Sequence, residues 1–383
     1  MAKKKLIVVW PYRFREFDWQ RFELEQLSQH AEVHVHELID ALTPEFGAAY
    51  ANQSERPEVK RFSSLKEWRR EFKRVSNDSI IFTHVRPINF QSARICLTLR
   101  LSGNKVVGFS TGGVPNYASV SDFRELRIDK FLAMIFHFMK RNAFSFVSPD
   151  VVLVGGTEEE KRTRRDYSRR ALLIFGNSSD YSQTLLIPQI SIDFEYKSVF
   201  LDTGFPGFVR DELLAGDVEE ILPRQWYPRV NNFFDFLDEY FGASTLIAIH
   251  PKHVGMDHSV FFGSRPVIGG KTMQLVSGSG LVIATNSTAI SYSVAFEKPL
   301  ILVTCDAIEK SNQRKKLEIR NCAMETGAKI FNIDRQYTAQ ELRDALVIDH
   351  AKRESYKRKY LTSRTDDKPN YQVLLDEVIN AVD

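Results

Sequence analysis

The 383-residue sequence predicts an α/β protein of two domains, each a parallel sheet built from strand–helix units. Short apolar runs alternate with helical stretches, and they do so in two successive series. In the first series the expected strands are KLIVVW (5–10), EVHVHEL (32–38), SIIFTHV (79–85), KVVGFST (105–111), DVVLVGG (150–156) and RALLIFG (170–176). Helical stretches such as DWQRFELEQLSQ and SLKEWRREFKRV lie between them. The second series is SVFLDTG (198–204), TLIAIHP (245–251), GLVIATN (280–286), LILVTCD (300–306) and KIFNID (329–334). The length agrees: it is too great for one compact core and suits two. The series divide near IPQISIDFEY, 187 to 196. This gives an N-terminal domain over 1–192, a C-terminal domain over 193–350, and C-terminal helices over 351–383 that can pack back on the first domain.

The composition is that of a soluble globular protein, 43% hydrophobic and 26% charged. A net charge of +3 is too small to argue for a nucleic-acid binder. Cys96, Cys305 and Cys322 show no C-x-x-C spacing, which excludes the usual zinc site and a disulfide framework and fits a reducing compartment. The start, MAKKKLIVVWPYRF, lacks the long apolar run of a signal peptide. The stretch FLAMIFHFM, 131 to 139, is too short to span a bilayer and lies between Lys130 and Lys140. The expectation is a cytoplasmic protein. Three basic clusters, KEWRREFKR (66–74), EKRTRRDYSRR (160–170) and NQRKKLEIR (312–320), read mainly as solvated helix faces. The first two, with the aromatic stretch FLAMIFHFMKRNAFSF, could form a patch for an anionic glycolipid at the inner membrane surface.

Proline forces the residue before it into an extended conformation, so His250 of TLIAIHP belongs to the tip of its strand. In open α/β sheets ligands bind at the carboxyl ends of the strands. A second signal is GLVIATNSTAISYSVAFEKPLILV, 280 to 303. It reads as a strand, a polar turn of Thr285, Asn286, Ser287 and Thr288, a helix from about Ala289 to Glu297, a stop at Lys298–Pro299, and another strand. Ser287 and Thr288 are good helix caps, and such a turn also offers free N–H groups and a helix dipole to a phosphate. Two strands ending this way on one sheet edge point to an anionic ligand. Between them, GGKT lacks the spacing of a phosphate loop, which excludes an ATPase. A Gly-Gly turn opening the helix TMQLVS puts Lys271 near the expected cleft.

The order HPKH, GKTMQLV, LVIATNSTAISYSVAFEKPLILV resembles the C-terminal domain of bacterial surface-polysaccharide glycosyltransferases of the GT-B fold. Within that group it is most similar to the enzymes that use CMP-activated sugars, the Kdo transferases and sialyltransferases. The resemblance covers about residues 190 to 335; the N-terminal half resembles the group only in layout. It implies two Rossmann-like domains facing across a cleft, the first binding the acceptor and the second the nucleotide sugar, with a nucleotide sugar as donor, a surface glycan or glycolipid as acceptor, and no cofactor. In that group an HP motif and a Ser/Thr pair hold the CMP. Carried over, these are His250 and Pro251, and Ser287 and Thr288, with Lys252, Lys271 and Asn286 beside them. SVFLDTGFP resembles an FLD segment that opens the same domain in surface-carbohydrate proteins. The acidic-Asp-Gly motif of the sialyltransferases is not cleanly present, since LDTG departs from it, and this leaves the catalytic carboxylate open.

Glycosyl transfer builds positive charge at the anomeric carbon and negative charge on the leaving phosphate. A helix N-terminus and a histidine can stabilise the latter without metal. No D-x-D pair stands in a metal-binding context, so metal independence is expected. The sugar side needs a carboxylate, as base if the reaction inverts or as nucleophile if it retains. Asp202, at a strand end before a turn, is the first candidate, although an Asp there can equally cap the turn. Glu16 and Asp18 follow the first strand on the acceptor side, where capping of the helix is the competing role. Asp193, near the hinge, is a weaker candidate. Kdo and sialic acids carry a carboxylate, and Arg13, Arg15 and Lys252 are placed to meet it.

Three other readings fit parts of the pattern. Non-hydrolysing UDP-sugar 2-epimerases share the fold but would want Gly-Gly and Glu-Glu after the Ser, where this chain has STAISYSVAFE. A polyol-phosphate transferase of the teichoic-acid type has an HP strand and a Ser pair and needs a second histidine, for which His84 or His253 could serve. A non-catalytic nucleotide- or glycan-binding module of an assembly complex would bind CMP without turnover.

Overall fold

The computed structural model describes residues 3–44, 54–87, 89–112, 115, 145–167, 171–187, 197–206, 223–250 and 257–380. The chain divides into two units, one of Met1–Gly113, Val120–Leu186 and Lys359–Asp383, the other of Val114–Ser119 and Ile187–Arg358.

The first unit is a seven-stranded parallel sheet. Its strands are β1 (Lys4–Trp10), β2 (Ala31–Glu37), β3 (Val59–Arg61), β4 (Ser79–Thr83), β5 (Lys105–Ser110), β6 (Val151–Gly155) and β7 (Leu172–Gly176), in the order β3-β2-β1-β4-β5-β6-β7. Its helices include α1 (Glu16–Arg21), α2 (Leu24–Ser28), α3 (Leu65–Val75), α4 (Phe90–Arg100), α5 (Thr157–Asp166) and α6 (Ser179–Leu186). Trp10, Phe14, Trp19, Leu24 and Leu27 cover one face of the sheet, and Trp68, Phe72, Ile95 and Leu99 cover the other. Burial on both faces is why the central strands read as unbroken apolar runs.

The second unit is a six-stranded parallel sheet: β8 (Ser198–Leu201), β9 (Leu246–Ile249), β10 (Val267–Gly269), β11 (Leu281–Ala284), β12 (Leu300–Thr304) and β13 (Lys329–Asn332), ordered β10-β9-β8-β11-β12-β13. Its helices include α7 (Pro223–Phe241), α8 (Thr272–Gly278), α9 (Ile290–Ala295), α10 (Gln313–Thr326) and α11 (His350–Tyr356). In each sheet the winding reverses beside the unit's first strand, between β1 and β4 and between β8 and β11. β3 and β10 escape the sequence reading because each is a three-residue edge strand with one partner, too short to show a pattern.

The chain returns to the first unit at Lys359, and the units part at Leu186 and Arg358, where the sequence suggested 192 and 350. Ser178 donates its N–H to the Leu361 carbonyl at 2.6 Å. Helix α12 (Asn370–Leu374), continued by a wider turn over Leu375–Ile379, buries Val373, Leu374, Val378 and Ile379 in the same core as β1. Gly156 makes room for this segment, and Gly155 for the turn after β7 to which the segment is bonded. A Cβ on Gly155 would collide with the backbone of Asn177 and Ser178, and one on Gly156 (φ +91°) with that of Lys359 and Tyr360. Glu23, in the left-handed region at φ 53°, accepts the Tyr371 N–H at 2.7 Å from inside this junction. Burial pushes its carboxyl pKa up to about 7, against the pull of hydrogen bonds from Ser182, Tyr371 and Asn370.

Candidate functional site

In the second unit β9, β8 and β11 are neighbours, so the turns after them lie side by side at the carboxyl edge of the sheet. These are the turns the sequence singles out. Asp202 is buried just beyond β8. Its Oδ1 accepts the Gly204 N–H at 2.9 Å, as in an Asx turn, and its Oδ2 accepts the His250 N–H at 3.2 Å. The carboxylate thus ties the end of β8 to the end of β9. On the other side, the Thr203 and Thr285 hydroxyls meet at 3.4 Å across the reversal point. Asp202, His250 and the 285–288 turn, far apart in sequence, are brought together.

The edge also holds residues the sequence reading passed over. Asn286 donates from Nδ2 to Glu318 Oε2 at 2.5 Å. The Lys315 ammonium lies 3.8 Å from the centre of the Phe205 ring. Asn312 caps α10 by accepting the Lys315 N–H at 2.9 Å. Lys315 and Glu318 belong to the cluster read as a solvated face, yet both are buried. Each stands one helical turn before a core residue, Lys315 before Ile319 and Glu318 before Cys322. That spacing was the available signal.

The 287–288 turn differs in detail from expectation. Helix α9 begins at Ile290 and ends at Ala295, and its first flanking residue is Ala289. Ser287 acts earlier: its Oγ accepts the Ala289 N–H at 3.2 Å, and its carbonyl accepts the Ile290 N–H, also at 3.2 Å. Thr288 is exposed. Lys271 directly precedes α8, exposed, after Gly270 at φ +71°. Pro251, Lys252, His253 and Asp193 lie outside the described residues.

In the first unit the candidates after β1 have local partners. Arg13 is buried, with its guanidinium on Glu37 (2.5 Å) and Asp40 (3.0 Å), and it ties the end of β1 to that of β2. Arg15 opens α1; its N–H donates to Asp18 Oδ2 at 3.0 Å and its guanidinium lies 4.5 Å from the Phe17 ring. Asp18, the third residue of α1, therefore reaches back to the N-cap residue Arg15 and closes the helix start, and burial raises its pKa to about 6 against the pull of the Arg15 N–H. Glu16 points to solvent and makes a two-pronged pair with Arg56, which holds its pKa below the ordinary value. His84, just past β4, stacks on Phe109 (5.3 Å between ring centres) and meets Trp10 edge-on (5.0 Å). Desolvation there, helped by Arg21 and Arg86, holds its pKa down to about 3. A histidine so placed is neutral and weakly basic near pH 7 and is a poor acid-base group.

No protein-family model and no curated protein sequence matches the chain. Solved structures do match, over almost its whole length. The wall teichoic acid polymerase TagF, soaked with CDPG, is 12% identical with a TM-score of 0.54, over 99% of this chain and 89% of that one. The glycotransferase of kitacinnamycin is 11% identical with a TM-score of 0.52, over 98% and 99%. The Methanocaldococcus jannaschii UDP-GlcNAc 2-epimerase, in complex with UDP-GlcNAc and UDP, is 10% identical with a TM-score of 0.50, over 97% and 99%. The fold is GT-B. In this GT-B chain each unit reverses its winding at the same place, between its first and fourth strands. The 285–288 turn stands at the second unit's reversal point, and His250 stands one strand away at the end of β9.

Proposed function

We propose that this GT-B chain is a transferase that takes a nucleotide-activated donor at the carboxyl edge of its second sheet. The supporting observation is the bonded assembly of Asp202, His250 and the 285–288 turn on three neighbouring strand ends beside a reversal point, the usual ligand position in such sheets. We assign His250, Lys271, Asn286, Ser287 and Thr288 to the nucleotide, with Pro251 and Lys252 adjoining. The donor we favour is CMP-linked Kdo or a related nonulosonate, and the acceptor a bacterial surface glycan or glycolipid such as lipopolysaccharide, O-antigen or capsule, without metal or cofactor. The leaving phosphate needs donors held in place before the reaction, and a turn fixed by its own hydrogen bonds supplies them. Asp202, which stands at the carboxyl edge of the second sheet itself, is the first choice for the base or nucleophile, ahead of Glu16 and Asp18 in the first unit; all three carboxylates carry partners in the free chain. The experiment is nucleotide release from CMP-Kdo, CMP-sialic acid, CDP-glycerol and UDP-GlcNAc by the purified chain. Release from neither CMP sugar would reject the favoured donor.

The likeness to TagF favours a second reading, polyol-phosphate transfer, at the level of fold. His84 is poorly suited to its acid-base step, which leaves His253. Selective release of nucleotide from CDP-glycerol, lost in His253→Ala and kept in His84→Ala, would establish that reading.

A further inference from the structure

Helix α10 begins against the usual charge preference. Acidic residues favour a helix N-terminus because they meet the positive end of its dipole. The first turn of α10 holds none, and Arg314, Lys315 and Lys316 follow its first residue in succession. Lys315 is 6% exposed, so its charge is largely withdrawn from water. The acidic neighbours in this segment are held by other groups, Glu318 by Asn286 and Arg314, and Glu309 by Arg320 and Lys316. The mouth of the helix carries a second signal. Asn312 is 3% exposed, and its Oδ1 accepts the Lys315 N–H. That bond fixes the amide across the helix start, and the other end of the amide, Nδ2, is a buried donor without a hydrogen-bond partner. A buried donor left unpaired costs free energy that a bound acceptor recovers. The bonds of α10 also locate this mouth. Lys315 and Glu318 stand three residues apart on one face of the helix. Glu318 reaches Asn286 of the 285–288 turn, and Lys315, one turn nearer the helix start, reaches the ring of Phe205, three residues past Asp202.

We propose that the start of α10 is a second anion site at this sheet edge, where the Lys315 ammonium and Asn312 Nδ2 take an oxyanion of the donor other than the phosphate at the 285–288 turn. Two donor classes carry such a group. One is a nucleoside monophosphate bearing an acidic sugar, whose carboxylate is the second anion; the other is a nucleoside diphosphate, whose second phosphate is. Both offer the same chemistry, a compact oxyanion that accepts charge-assisted hydrogen bonds. The site rests on the nucleotide reading of this edge. It takes up the role expected of Arg13, whose guanidinium Glu37 and Asp40 already engage.

Asn312→Asp separates capping from binding. Aspartate caps a helix as well as asparagine does and suits the dipole better, so a cap alone predicts a fold at least as firm and unchanged ligand affinities. At an anion site the same change sets a carboxylate where a donor stood. The test is calorimetric titration of the full chain with CMP, CDP and CMP-sialic acid. The wild type should bind one of the last two about tenfold more tightly than CMP, as expected for added hydrogen bonds to a charged group. A gain with CMP-sialic acid identifies the oxyanion as a carboxylate, and a gain with CDP identifies it as a phosphate. The gain should vanish in Asn312→Asp and in Lys315→Met, which keeps an unbranched side chain without its charge. Unchanged circular dichroism would show the variants folded. CMP binding with no gain for either larger ligand, or a gain that folded Asn312→Asp retains, would overturn the second site alone. Binding of none of the three by the wild type would overturn the nucleotide reading together with it.

Discussion

Asp202 serves two backbone N–H groups at once, those of Gly204 and His250. Asparagine can accept from only one of them without turning its own N–H₂ toward the other. Asp202→Asn is therefore not a silent probe of charge. It should destabilise the second unit by about 1–3 kcal/mol as well as remove the candidate base or nucleophile. Thermal unfolding and nucleotide release, measured on the same sample, separate the two effects. Wild-type stability with lost turnover would mean chemistry alone; the reverse would mean a structural bracket. Glu23 gives a cleaner prediction. Its pKa is about 7 in the folded chain against an ordinary 4.5, so folding favours its protonated form. Its contribution is complete below about pH 4.5 and is lost as pH rises through 7, a loss on the order of 2–3 kcal/mol by pH 8. Glu23→Gln resembles the protonated carboxyl and should be the more stable protein at pH 8 but not at pH 4. Parallel stability profiles for the two proteins from pH 4 to 8 would refute this.

At the scale of elements, three strand ends and the start of α10 build the candidate site, and each contributes through backbone as much as side chain. If the 285–288 turn and His250 hold the donor phosphate, His250→Ala and Ser287→Ala should each weaken CMP binding by roughly tenfold, as expected for loss of a hydrogen bond to a charged group. Calorimetric titration with CMP measures this directly, and unchanged affinity in both variants would move the nucleotide elsewhere. The junction of β6 with the turn after β7, to which the returning C-terminal segment is bonded, is less tolerant. A Cβ on Gly155 would strike the backbone of Asn177 and Ser178, which cannot swing aside as a side chain does. Gly155→Ala should cost about 3 kcal/mol or more of stability in the first unit, and denaturant unfolding would show it as a lowered midpoint. A midpoint equal to wild type would mean that this junction opens at little cost.

For the whole molecule, the first unit is completed by a segment that returns from Lys359 onward, after the chain has left it at the end of α6, Leu186. Val373, Leu374, Val378 and Ile379 are buried in its core. At about 1.5–3 kcal/mol for each buried side chain, their removal costs an amount comparable to the whole stability of a typical domain. A chain ending at Lys368 should lose the cooperative unfolding of the first unit while the second, with its own core of β8 to β13, retains its transition. Limited proteolysis should then cut preferentially before Leu186. Protection of both units in the truncated chain would show that the first folds without its last helix.

The two parallel-sheet units were legible in the amino-acid pattern, because strands buried on both faces must be apolar throughout and the helices between them must be amphipathic. The pattern also showed where in each series the polar strand ends fall, and so drew attention to Asp202, His250 and the 285–288 turn. Only the tertiary structure decided that these ends are neighbours, since the order of parallel strands is set by long crossovers that leave no local trace. It alone shows Lys315 and Glu318 turned inward to the same edge, and Arg13, Glu16 and Asp18 already engaged by partners up to 40 residues away. Gly156, directly after β6, is required by the backbone of Lys359 and Tyr360, which arrives from the far end of the chain, and no window of sequence contains both.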